Sequence, residues 1–278
     1  MINPTRFVNR CVSLAKETVV GRPAPPVRKG AGGFADWVML TILCLKEQRG
    51  ETYRSVIQLL RHMPRVRNSL DLKRGQLPDP STVCKAMDRL TMSLFRSLLQ
   101  QTISLHELGS VAAIDASGFD RVAASRRYAT RTDYRFRSLK TTLLIDCSTG
   151  VILDVHCSTT KPHDTKIGWQ VLRRNLDRIS TVTADKGYDW SDLRTMLREN
   201  GIRPVIKHRE FDSLDAAHNA RFDDEVYYRR PVVETVFRML KQRYGDRLHS
   251  RNWYRQFREF TRKCAVKNID DSFSTVTT

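Results

Sequence analysis

Residues 111–119 read VAAIDASGF, and the chain changes character there. A β-branched and apolar run ended by Ser-Gly reads as a strand. Asp115 sits in its middle, where a carboxylate is costly unless it is paired or bound to a metal. Helical patterning dominates upstream; strands and helices alternate downstream. The switch predicts an α-helical N-terminal region over 1–105. An α/β domain on a mixed sheet would follow over 106–262, with a flexible tail over 263–278.

Working back from Val111, Thr91–Glu107 reads as a helix. So does DPSTVCKAMDRL (79–90), with Asp79 or Ser81 as cap and Pro80 in the first turn. Pro64–Gly75 is polar and Arg-rich. Glu51–Met63 places Val56, Leu59, Leu60 and Met63 at helical spacing, and Phe34–Lys46 has a broad apolar face. GRPAPPVRKGAGG (21–33) is dense in Pro and Gly and reads as a linker.

Working forward, Arg127–Phe136 and Lys140–Asp146 read as strands. The second turns through Ser148-Thr149-Gly150 into VILDVHCS. Asp164–Ile179 is helical, with Ile167, Val171, Leu172 and Leu176 on one face. Thr181–Ala184 is a short strand ending at Asp185. Ser191–Asn200 is a helix stopped by Gly201. Pro204–Lys207 is a strand and Pro231–Tyr244 a helix. The order β-β-β-α-β-α-β-α implies a mixed sheet with helices on its faces.

Composition narrows the partners. Forty-eight Lys and Arg against thirty Asp and Glu give 278 residues a formal charge of +18. The basic residues are spread along the chain, which argues for a polyanion such as nucleic acid. The longest apolar stretch, Trp37–Leu45, falls far short of the roughly 20 residues a bilayer requires. The expected compartment is therefore where DNA lies, the cytoplasm or nucleoid. The six cysteines form no C-x-x-C pair and no zinc spacing, so they read as reduced and structural.

Three carboxylates stand out by context. Asp115 lies in the apolar strand, Asp185 directly after a strand in ADKGYD, and Glu234 in the first turn of the last patterned helix. Each has an ordinary alternative: a turn cap or arginine pair, a turn residue before Gly187, a helix-N-terminal acid. Brought together they would repel, and a divalent cation removes that conflict. Oxygen-only ligands favour Mg²⁺ or Mn²⁺ over zinc. In YYRRPVVETVFRMLKQRYG (227–245), Tyr227, Arg230, Glu234 and Lys241 follow one another at three, four and seven residues. Glu234 and Lys241 thus share a helix side, and Arg230 lies one turn earlier.

That spacing resembles the Y-x2-R-x3-E-x6-K signature of insertion-sequence transposases with a DDE catalytic domain, of the insertion-sequence-five type in the four/five superfamily. IDAS at Asp115 and ADKGYD at Asp185 resemble the first- and second-aspartate motifs. The likeness covers roughly residues 108–262, and only 49 residues separate Asp185 from Glu234. It implies a ribonuclease H-like fold, with Asp115, Asp185 and Glu234 as catalytic metal ligands, two ions per site. It further implies Tyr227, Arg230 and Lys241 on terminal DNA, and a homodimer pairing two DNA ends. Such an enzyme would nick double-stranded DNA at terminal repeats and join the 3′-hydroxyls to target DNA, with Mg²⁺ or Mn²⁺ as its cofactor. A nuclease without strand transfer and a non-catalytic DNA-binding protein are the alternatives.

Three lesser features complete the reading. Pro80-Ser81-Thr82-Val83 can open a recognition helix of a helix-turn-helix, with Lys85 and Arg89 toward DNA. Asp164, after His163, reads chiefly as a helix N-cap. Trp190 and Trp253 read as packing residues before base-stacking ones.

Overall fold

The computed structural model describes residues 2–19, 21, 23–27, 33–121 and 138–274. The strand expected over 127–136 lies outside them. The chain divides into two compact units, Met1–Leu105 with Asn252–Thr278, and His106–Arg251.

The first unit opens with α1 (Pro4–Thr18), α2 (Asp36–Arg49), α3 (Tyr53–His62), α4 (Pro64–Ser69), α5 (Pro80–Arg89) and α6 (Met92–Ile103). Their starts follow from short polar caps. Asn3, Asp79 and Thr91 each accept a backbone N–H, and Thr52 with Ser55 forms a reciprocal capping box. Helix α2 buries every residue from Trp37 to Leu45. It is apolar all round, as a central helix must be.

The second unit holds β1 (Val111–Arg121), β2 (Ser138–Asp146), β3 (Ile152–Ser158), β4 (Thr181–Ala184), β5 (Arg203–Ile206) and β6 (Arg247–Leu248). They form one mixed sheet in the order β3-β2-β1-β4-β5, with β6 also on β1. β1–β2 and β2–β3 are antiparallel; β1–β4, β4–β5 and β1–β6 are parallel. Asp146 organises the β2–β3 hairpin by accepting from the backbone of Ser148 and Thr149, and Gly150 turns through positive φ. Around the sheet lie α7 (Asp164–Arg173), α8 (Ser191–Glu199), α9 (Ser213–Ala220), α10 (Asp224–Tyr227) and α11 (Pro231–Tyr244).

The edge of β1 sets the place for chemistry. β2 runs along one edge from Ala112 to Asp120. β4 and β6 share the other, at Val111–Ala113 and at Asp120–Arg121. Between those two pairings, among the described residues, the second edge opens into a notch around Ile114–Gly118.

Three expectations need correction. The helix expected to reach Ile179 stops at Arg173. Arg174 and Asn175 turn aside to donate to the buried Asp154 carboxylate, and Asn175 also donates to the carbonyl of Val171. Asp164 is not an N-cap: it is the first residue of α7 and pairs with Lys140 at 2.7 Å. Lys263–Asp271, expected within a flexible tail, is instead the end of a long helix. Trp253–Asp271 forms helix α12, buried almost continuously from Glu259 to Asp270 within the first unit. The second unit accordingly closes at Arg251.

Candidate active site

Asp115 and Asp185 are brought abreast by strand register. β1 and β4 pair in parallel with Ala113 opposite Thr183, and each aspartate lies two residues further on. Residues two apart share a sheet face, and neighbouring strands lie about 4.8 Å apart. Both carboxylates are therefore delivered to the notch, where β4 ends and β1 runs on.

The electrostatics record this crowding. The Asp115 carboxyl is pushed up to about 6, chiefly by burial, with Asp185 and Glu234 adding to the rise. The Ala116 N–H, which donates to Asp115 Oδ1 at 2.8 Å, and the Arg230 charge oppose it. All three acids thus act on one centre.

Asp185 is held by its own turn. It caps the 3₁₀ turn Lys186–Tyr188, and its Oδ1 accepts the Gly187 N–H at 2.8 Å. A Cβ at 187 would lie 2.7 Å from that same oxygen, so a side chain there forces the Asp185 carboxylate to move. Tyr188 is fully buried against α7, where Gly168 makes room for its ring.

Glu234 stands in the first turn of α11, which buries Val233, Val236, Phe237, Leu240 and Tyr244. Its side chain is 55% exposed and pairs with Arg230 at 2.9 Å, one turn back. Lys241 reaches the strand itself: its Nζ donates to Ser117 Oγ at 3.0 Å and sits 5.3 Å from the Phe119 ring centre. Ser117 is two residues from Asp115 on β1, so the ammonium is anchored on the Asp115 face. Tyr227 closes α10, edge-on to Phe222, with Lys207 4.6 Å from its ring centre and Arg230 5.9 Å.

The structure thus groups Asp115, Asp185, Glu234, Arg230, Tyr227 and Lys241 in one unit. Among the described residues, no three His, Cys, Asp or Glu side chains close to metal-binding distance, and Glu234 is turned to Arg230. Lys85 and Arg89 lie in the other unit. Lys85 is exposed on α5, whereas Arg89 is engaged by Asp36 and the Phe34 carbonyl. Trp190 packs on Trp169 at 5.4 Å, and Trp253 belongs to the first unit, half-exposed beside Phe257. Two residues escaped the sequence reading: Ser117, the anchor of Lys241, and Arg209, which grips the Asp185 turn. Ser117 was signalled by its i+2 place after Asp115; Arg209 carried no signal.

A half-buried carboxylate pair at an open sheet edge, with a third acid and cations on an adjoining helix, defines an acid-centred α/β site. Residues 106–269 match the family model described as the transposase DDE domain, and the chain belongs to that family. A cryo-EM structure of a piggyBac transposase synaptic complex with hairpin DNA is similar over 98% of this chain and 71% of that one. Its identity is 13% and its TM-score 0.51, a likeness of fold. A search of curated proteins found no match.

Proposed function

We propose that this chain is a DDE transposase of the insertion-sequence-five type within the four/five superfamily. It would cut double-stranded DNA at the terminal repeats of an insertion sequence and join the 3′-hydroxyls to target DNA by transesterification. The observation that carries the reading is the β1–β4 register, which sets Asp115 beside Asp185 while α11 adds Glu234 to the same field. The second unit is read as ribonuclease H-like: an antiparallel β1–β3 meander continued by parallel β4 and β5 supports it.

The donor set fits a divalent metal. The acids offer oxygen alone, which suits Mg²⁺ or Mn²⁺. Asp115 is held back from ionising by burial and by the other two acids, a conflict a cation relieves. Glu234 is free to turn, because an exposed i,i+4 pair such as Arg230–Glu234 is worth only about 0.3–0.5 kcal/mol. Asp115, Asp185 and Glu234 would hold the metal. When bound, it stabilises charge on the attacking and leaving oxygens of phosphoryl transfer.

The chain's own groups do the rest. The Gly187 N–H fixes one oxygen of Asp185 and leaves the other to the site. Ser117 holds the Lys241 ammonium on the Asp115 face as a point charge for phosphate. Arg230 offers a planar fork to a phosphate once it leaves Glu234, with Tyr227 beside it. In the helical unit, Lys85 with exposed Ser81 and Thr82 presents a reading face on α5, while Arg89 is committed to Asp36. A homodimer on paired DNA ends completes the reading.

The test is incubation of the protein with terminal-repeat DNA and Mn²⁺ or Mg²⁺, against an EDTA control. Joined products are expected. Nicks without joining would make it a nuclease, and binding alone a non-catalytic protein. A second expectation concerns Gly187→Ala, whose Cβ evicts Asp185 Oδ1. Cleavage should fall at least about tenfold, with a thermal midpoint close to wild type because the group displaced is the end of a half-exposed carboxylate. Unchanged cleavage would refute the role given to that oxygen.

A further inference from the structure

Arg209 follows β5 and is exposed, yet its guanidinium is not idle. Its Nε donates to the Lys186 carbonyl at 3.0 Å and its Nη2 to the Gly187 carbonyl at 3.2 Å. The Lys186 carbonyl and the Gly187 N–H belong to one peptide group. That N–H is the donor that fixes Asp185 Oδ1 at 2.8 Å. A single planar peptide is therefore gripped between the Arg209 guanidinium and the Asp185 carboxylate.

The surroundings keep Arg209 in place. Its backbone N–H donates to Asp189 Oδ2 at 2.8 Å, and Asp189 Oδ1 takes both Nε and Nη2 of the buried Arg194. Arg194 is tied in turn to the Ile206 carbonyl at the end of β5. Burial alone would raise the Asp189 carboxyl; the Arg209 N–H and Arg194 outweigh it and hold it below the usual range. Lys186 and Glu210 close a second strap, at 2.7 Å.

We infer that Arg209 is a positioning residue for Asp185: through the Lys186–Gly187 peptide it fixes one carboxylate oxygen and so presets the other for the metal. The cation also polarises that peptide, which strengthens the N–H as a donor. Neither contact asks Arg209 to touch DNA or the reacting atoms. The inference rests on the reading of Asp185 as a metal ligand. Outer partners of a metal ligand are commonly worth about 10–100-fold in metal affinity or activity.

The experiment compares wild type, Arg209→Ala and Arg209→Lys by three measurements: Gly187 amide exchange without metal, Mn²⁺ titration by electron paramagnetic resonance, and terminal-repeat DNA binding in EDTA. For Arg209→Ala the expected result is faster Gly187 exchange and a Mn²⁺ half-saturation raised about tenfold. DNA affinity and thermal midpoint should stay at wild-type values, and saturating Mn²⁺ should restore the cleavage rate. Arg209→Lys, able to hold one carbonyl but not both, should fall between. Unchanged Gly187 exchange together with an unchanged Mn²⁺ half-point overturns the inference. Weaker DNA binding with an unmoved Mn²⁺ half-point overturns it too, and makes Arg209 a phosphate contact. If wild type itself binds no Mn²⁺, the metal-ligand reading of Asp185 falls, whatever Gly187 reports of the turn.

Discussion

Asp115→Asn is expected to abolish DNA cleavage and, at the same time, to make the protein more stable. The two effects have one cause. Asp115 is pushed up to about 6 by burial and by the two facing acids, so its charge is tolerated at neutral pH at a cost. A carboxyl whose folded pKa is raised favours folding while it is protonated, below its unfolded value of about 4. That benefit is lost as pH rises through about 6. At pH 7.5 the shift from 3.8 to about 6 corresponds to at most about 3 kcal/mol. Asparagine carries no charge, and its carbonyl can still accept the Ala116 N–H. Denaturant unfolding in EDTA should therefore show a gain of about 1–3 kcal/mol at pH 7.5. The gain should shrink through pH 6 to 4 and vanish below. Cleavage with Mn²⁺ should drop by at least about 10³-fold, roughly 4 kcal/mol of transition-state stabilisation. Equal stability at pH 7.5 would sink the account of the crowded carboxylates, and retained cleavage would sink the catalytic one.

Why Asp115 was visible beforehand bears on what a sequence can say. An acid inside VAAIDASGF breaks the apolar pattern of a strand, and a broken pattern is a local signal. Asp185 was visible because it follows a strand directly, and Glu234 because Arg230 and Lys241 bracket it at helical spacing. Their convergence depends on a parallel pairing of strands about 70 residues apart in the chain, which no local pattern carries. Contacts that act through backbone groups were harder still. Arg209 grips carbonyl oxygens, which every residue owns, so nothing in its type marked it. The end of α7 was missed for a like reason: Leu176 continues the apolar stripe, while the event that stops the helix is Asp154, on another strand, drawing Arg174 and Asn175 aside. Arg89, read as facing DNA, has a partner that local pattern could not show, Asp36, 53 residues away in the chain.

The last helix departs furthest from what its sequence suggests. WYRQFREFTRKCAVKNIDD (253–271) is rich in charge, and its end was expected to lie in a flexible tail. In the structure it is core. Arg262, 2% exposed, sends Nε and Nη2 to Glu47 Oε2 at 3.1 and 2.6 Å, and Lys263 lies 3.8 Å from Oε1. Burial by itself would raise Glu47; Arg262 first, then Lys263 and Lys46, outweigh it and hold the carboxyl below its usual range. A buried pair of this kind adds little net stability against an apolar pair of the same size, but removing one partner strands the other. Arg262→Met keeps most of the volume and removes the charge, leaving Glu47 buried with the more distant Lys263 and Lys46 to answer it. The expected loss is about 3 kcal/mol, a fall of about 10 °C in the thermal midpoint. The pH dependence gives the cause. In wild type the depressed Glu47 contributes stability above its unfolded pKa, and that contribution fades as pH falls into the carboxylate range. The variant has less of it to lose, so the gap between the two proteins should narrow from pH 7.5 toward pH 4. A gap that stays constant with pH would mean that Arg262 acts through packing alone, and that the charges of α12 are buried without holding the helix in the first unit.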